Sequence, residues 1–259
     1  MAASEAFLAE DCWRWDHALA FDVALNRAEC EFRTGLLTEA DDRLSMLSER
    51  GATPVEDSAV ACLRVALYMT KGQFDRAVEV CLEYLRRVGV EWSPHPTKDD
   101  VDREYAKIWR QVGARAIEQL VDLPLTNDPV CRATLDVLSV FATPAWYIDE
   151  NLHDLAVAHM ANLSLEHGNS DGSCYAYALL GRVLGSTLGQ YQAGFRFGKL
   201  AIDLVEKPGL DRFRASVYNA FGHHIIPWTR HLQNGRVWNR RAFKAAKESG
   251  DLTFCSFQL

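Results

Sequence analysis

The chain of 259 residues lacks the features that announce a membrane protein or a metal enzyme. No run of 18 or more apolar residues occurs in it, so no membrane-crossing helix is expected. The opening "MAASEAFLAEDCWRWDH" has no basic segment ahead of an apolar one, so no secretory signal is expected there. Cysteine occurs at Cys12, Cys30, Cys62, Cys81, Cys131, Cys174 and Cys255, never as C-x-x-C and never beside histidine at ligand spacing. That scatter argues against a zinc site and a disulfide framework. The thiols read as small buried hydrophobes in a reducing cytoplasm. The alternating pattern of a half-buried strand is nearly absent.

Hydrophobic residues make up 48% and charged residues 24%, the balance of an ordinary globular chain rather than a disordered one. The net charge of −7 discourages non-specific binding to nucleic acid. The charge is uneven. From Arg196 onward 11 basic residues face 5 acidic ones, a balance of +6, while the remainder holds 17 and 30, a balance of −13. Such polarity suits docking to another protein or domain, and solvated faces produce it equally well.

Helical spacing runs almost throughout. Leu37, Ala40, Leu44 and Leu47 form one stripe; Phe74, Ala77, Val78, Cys81, Leu82, Leu85 and Val88 form a second; Tyr191, Phe195, Gly198, Ile202 and Val205 form a third. Steps of three and four place each set on one face of a helix, and that face must be buried against a neighbour. Thr53-Pro54 and Asp128-Pro129 each offer a cap followed by proline at the first helical position. Gly168 fits the left-handed position that closes a helix. Breaks fall near 89–97 and 122–129. About eleven helices with short connections follow, arranged as hairpins.

Three hairpins share a register. Gly35, Gly72 and Gly189 each end a helix, and two residues later stand Leu37, Phe74 and Tyr191. Five residues after each glycine comes a small residue, Ala40, Ala77 or Gly194, and seven later again Leu47, Tyr84 and Ala201. The pattern resembles the second half of a tetratricopeptide (TPR) repeat. Where that repeat carries tryptophan in its first helix, this chain has Ala24, Ala61 and Ala178. The expected fold is therefore all-α: a solenoid of antiparallel helix hairpins forming a divergent TPR-like superhelix. Residues 1–97 form its N-terminal part and 98–259 its C-terminal part, continuous with the first and truncated at the end. "ESGDLTFCSFQL" is expected to begin a further apolar helix and stop, leaving a repeat stack uncapped.

"GFRFGK", residues 194–199, has the glycine-lysine pair of a phosphate loop. Yet Ala193 and Leu200 stand where that loop needs glycine and Ser/Thr, and no strand precedes it. It reads as the interior of a second hairpin helix, whose backbone amides are already used. Gly194 and Gly198 then let a neighbouring helix come close.

Other candidate chemistry is equally bare. His223 and His224 point about 100° apart on a helix and cannot chelate together. His153 and His159 are six apart, and Pro227 separates His224 from His231. Cys174 beside Ser173 has no nucleophile elbow and no protease signature around it. Carboxylates in "TEADD" and "TKDDVDREY" suit the first turns of helices. Arg236, Arg240, Arg241, Lys244 and Lys247 fall mostly on one helical face, which could grip an acidic partner or stand in solvent.

Longer segments carry a wider resemblance. "AVEVCLEYLRRVGVEWSPHPT", "IWRQVGARAIEQLVDLPLTNDP", "MANLSLEHGNSDGSCYAYALLG", "YQAGFRFGKLAIDLVEK" and "HHIIPWTRH" follow one another in this order. Together the chain resembles the helical middle region of large bacterial multidomain signalling proteins. Those combine a serine/threonine-kinase-like domain, an AAA-type ATPase, a TPR-like array, GAF and histidine-kinase modules. Thr126-Asn127 departs from that family's version of the stretch, which carries methionine. The resemblance implies a cytoplasmic, non-catalytic scaffold between ATPase and kinase modules, whose partners are protein domains. It carries over no catalytic residue, metal or cofactor, and neither nucleic acid nor membrane is expected as a partner. In the repeat register Glu29, Arg33 and Thr70 would line the concave face. The alternative is a small-molecule effector sensor, with its site near the "YNAFGHHIIPWTRH" stretch that holds His223 and His224.

Overall fold

The structure is a computed structural model describing residues 12–250. The first eleven residues, and most of the segment expected to start a further helix, lie outside the described residues.

Among the described residues the secondary structure is helical: α1 (Cys12–Trp15), α2 (His17–Arg33), α3 (Leu37–Arg50), α4 (Pro54–Thr70), α5 (Phe74–Arg87), α6 (Lys98–Val112), α7 (Pro129–Ile148), α8 (Glu150–His167), α9 (Asp171–Ser186), α10 (Tyr191–Val205), α11 (Arg214–Asn219) and α12 (Gly235–Ser249). Short 3-10 turns cover Ile117–Asp122, Ile226–Trp228 and Leu232–Asn234, and a π-helical segment covers Ala220–Ile225. The one extended pairing among these residues is an isolated parallel bridge between Leu125 and Asn169. None of these helices is long and apolar enough to cross a membrane.

Local chemistry sets the boundaries. The Thr53 hydroxyl accepts from the Glu56 amide, and the Glu56 carboxylate accepts from the Thr53 amide, a reciprocal cap with Pro54 just inside α4. Thr97 and Asp100 open α6 in the same way. Asp128 Oδ1 accepts from the amides of Val130 and Cys131 at the start of α7. Gly35, Gly72 and Gly189 all lie in the left-handed region, at φ 84°, 67° and 65°. There a side chain would strain the backbone, so glycine marks each hairpin turn.

The chain forms two compact units. One takes the chain up to Pro94 together with Asp136–Glu150; the other takes His95–Leu135 and the chain from Asn151 onward. In the first, α2 pairs with α3 and α4 with α5. Ala40, Leu44 and Leu47 of α3, and Ala77, Val78, Cys81, Leu82 and Leu85 of α5, are buried along the expected stripes. Glu31 is buried among them, its carboxylate bonded by Arg27 at 2.9 Å and by Arg43 at 2.9 Å and 3.0 Å.

In the second unit α8 has no amphipathic stripe, because residues on every side of it are buried, from Leu152 to Leu165. Helices α9 and α10 form the tightest hairpin. A Cβ on Gly181 would stand 2.7 Å from the Gly194 carbonyl oxygen and 2.9 Å from the Gly198 nitrogen, so the two backbones touch. The third stripe departs from expectation at its first residue. Tyr191 stays 44% exposed and stacks on Trp228 at 5.7 Å instead of entering the core.

Candidate interaction surfaces

"GFRFGK" lies within α10, with no strand before it. Its two basic side chains are held by carboxylates: Arg196 forks onto Glu118 at 2.7 and 2.6 Å, and Lys199 pairs with Asp203 at 2.5 Å. The amide of Gly194 donates within the helix to the Gln190 carbonyl at 2.9 Å. Nothing is left over to cradle a phosphate.

The cysteine candidate is a packing residue. Ser173 Oγ accepts from the Ser170 amide at 2.9 Å, closing the start of α9. Cys174 is fully buried, and burial, with the nearby charge of Asp171, pushes its thiol up to about 12. A thiol in that state supplies no thiolate nucleophile near neutrality.

In the first unit Glu29 and Arg33 are brought together, one turn apart on α2, in an exposed ion pair at 2.6 Å. Thr70, at the end of α4, donates its hydroxyl to the Ala66 carbonyl at 2.9 Å, within its own helix. A cleft of about 290 Å³, counting space open to solvent, lies between α3, α4 and α5, and none of Glu29, Arg33 and Thr70 lines it. Val60, Ala61, Val80 and Tyr84 form its apolar part, and Arg87 bonds Asp57 at 3.1 Å and Glu83 at 2.8 Å beside it. The Tyr68 hydroxyl donates to Asp41 Oδ1 at 3.0 Å while Lys71 pairs with Asp41 Oδ2 at 3.0 Å. Burial alone would raise the Asp41 carboxyl, but these two bonds hold it below its usual range.

The second unit buries a polar cluster that single-sequence reading misses. Arg182 of α9 donates to His153 Nε2 at 2.6 Å, and His153 Nδ1 lies 2.9 Å from Asp154 Oδ1. Arginine cannot accept, so Nε2 accepts and Nδ1–H donates to the carboxylate, which fixes the tautomer. All three side chains are buried. Burial pushes the Arg182 guanidinium down, and the nearby Tyr175, Asp154 and Tyr105 push the other way. Tyr105 of α6 is raised well above the usual phenol range by burial and then by Asp154, and its hydroxyl has no hydrogen-bond partner among the described residues. A second link joins the same helices, where His159 Nδ1 and Asn162 Nδ2 meet Glu104 Oε1 at 3.0 and 2.8 Å.

His223 and His224 sit on the π-helical segment, with ring centroids 6.2 Å apart. His223 lies between Asn219 at 2.6 Å and Asn239 at 3.0 Å. His224 is solvent-accessible yet crowded on its protein side. That desolvation, with the charges of Arg182 and His223, lowers it to about 4. Pro227 follows in a 3-10 turn, ending the helix as its ring demands.

Arg236, Arg240, Lys244 and Lys247 are all exposed on α12, opposite the buried Gly235, Ala242 and Ala246. Arg241 leaves this set: it pairs with Glu206 at 2.8 Å and lies over the rings of Tyr218 and Trp238. Lys244 reaches Glu248 only at 3.8 Å. Among the described residues no three His, Cys, Asp or Glu side chains gather as metal ligands.

No family model matches the chain, and no solved structure matches it. Among curated proteins it is 24% identical over 264 residues to hybrid signal transduction histidine kinase G of Dictyostelium discoideum. The match covers 92% of this chain and 8% of that protein. What the chain is similar to is therefore a short stretch of a long histidine kinase.

Proposed function

We propose that the chain is a regulatory, protein-interaction segment of a signal-transduction protein, a TPR-like helical-repeat scaffold acting between ATPase and kinase modules without catalysis of its own. The observation that carries this reading is the similarity running through 92% of the chain to an 8% stretch of a hybrid histidine kinase. The glycine turns at Gly35, Gly72 and Gly189, each with its small residue five positions on, support the repeat register. The basic outer face of α12 supports a docking role, because exposed charge of one sign favours encounter with a complementary surface. Regulation then requires that a partner bind one arrangement of the modules better than another.

The test is to mix the purified chain with ATPase and histidine-kinase modules from the protein that carries it, and to assay ATP turnover by the chain alone. Salt-sensitive binding to a module, with no turnover by the chain, is expected. Turnover by the chain alone, or no binding to either module, overturns the reading.

One observation favours effector sensing as a second reading. The π-helical segment falls on the stretch holding His223 and His224, and such segments recur at functional sites. A thermal-shift screen against metabolites tests it, and silence across the screen removes it.

A further inference from the structure

The outward faces of α12 and α3 carry opposite charge with matching spacing. On α12, Arg236, Arg240, Lys244 and Lys247 are exposed, and Arg236, Arg240 and Lys247 make no ion pair among the described residues. On α3, Glu39, Asp42 and Glu49 are exposed and likewise unpaired among those residues; Arg43, between them in sequence, is drawn to Glu31, and Arg50, beside Glu49, lies over the Trp13 ring. Asp42 and Glu49 stand seven residues apart, as do Arg240 and Lys247. Seven residues are two turns, about 10.5 Å along either axis, so two such helices laid side by side bring both pairs into register together. Exposed apolar side chains also stand near the start of each helix: Leu36, 48% exposed, before α3, and Val237, 61% exposed, in α12.

We propose that the outer face of α12 docks on the outer face of α3 of a second copy of this chain. The two surfaces differ, so the contact is heterologous and links copies head to tail. Exposed ion pairs each contribute little, and the association is correspondingly weak, seen at high protein concentration and low ionic strength. Salt that shortens the screening length to a few ångströms dissolves it. The uneven charge along the chain, −13 before Arg196 and +6 from there on, gives long-range attraction between unlike segments of two copies.

The proposal rests on reading α12 as a contact surface but not on which modules the chain regulates. Self-association lost while module binding persists would sink this inference alone.

Sedimentation velocity over a concentration series tests it. At low salt the mean mass is expected to rise above the 29.1 kDa of one chain, and at roughly 0.5 M salt to return to it. A variant with Arg236→Glu, Arg240→Glu and Lys244→Glu is expected to stay monomeric, as is one with Glu39→Lys, Asp42→Lys and Glu49→Lys. All six positions are exposed, and an unchanged thermal midpoint verifies that each variant is folded. Mixing the two variants restores opposite faces, so the mixture is expected to associate although neither component does. A wild-type chain that stays monomeric at every concentration in low salt overturns the proposal. So does association that survives reversal of α12, or a mixture that fails to associate.

Discussion

Gly194 of α10 faces Gly181 of α9 backbone to backbone: a Cβ on Gly194 would stand 2.5 Å from the Gly181 carbonyl oxygen and 3.0 Å from the Gly185 nitrogen. Backbone cannot step aside as a side-chain tip can. Gly194→Ala should gain about 1 kcal/mol of helix propensity and lose more, up to about 3 kcal/mol, to overpacking. The expected result is a lower urea midpoint at unchanged slope. An equal or higher midpoint would show that the helices separate easily.

Arg182 and Tyr105 occupy one buried neighbourhood, and truncating them should act in opposite directions. Arg182→Met strands the His153–Asp154 pair without its cation, and breaking a buried charge network of this type costs about 3 kcal/mol. Tyr105→Phe deletes a buried hydroxyl that has no partner among the described residues. It should leave stability unchanged or raise it by up to about 1 kcal/mol. Chemical denaturation of the two variants checks the contrast, and a large loss from Tyr105→Phe would mean that its hydroxyl is bonded after all.

His224 predicts a pH dependence. Its folded value, lowered to about 4 by desolvation first and then by Arg182 and His223, lies below the ordinary 6.5. Between those values the unfolded chain binds more proton than the folded one, so stability falls as pH drops from 6.5 toward 4 and levels below it. His224→Gln should flatten the curve in that window. The exposed rim of the ring keeps the effect modest, and an identical slope in both proteins would rule out this origin.

Thiol reactivity follows burial. Cys30 is exposed, whereas Cys81, Cys131 and Cys174 are buried, with Cys131 raised to about 11 and Cys174 to about 12 by burial first. A thiol reagent near neutral pH should label Cys30 quickly in the folded protein and those three only after denaturation. Fast labelling of Cys174 in the native state would contradict its place in the core.

What was legible in the sequence is what neighbours along the chain decide. The turn glycines, the Thr53 and Asp128 caps and the stripes of α3 and α5 depend on residues within one or two helical turns, and they stand where spacing put them. The place of "GFRFGK" inside a helix was legible for the same reason. The His153–Arg182 bond was not, because its partners lie 29 residues apart on different helices. The all-round burial of α8 also leaves no stripe to signal which side its polar groups face. Spacing argued against chelation by His153 and His159 but could not show that carboxylates stand beside them at Asp154 and Glu104. Tyr191 misled because a stripe ranks residues by polarity, while its ring found Trp228 at the surface. For Glu29, Arg33 and Thr70 the register supplied positions, and the structure adds that the first two neutralise each other.

The π-helical turn from Ala220 to Ile225 holds one residue more than an α-helical path would use. That surplus sets the phase of the chain as far as Pro227, where the helix ends. Removing one residue there would turn Ile226 by about 100°, away from the buried position it now holds. The spare link of backbone is thus what seats that side chain inward.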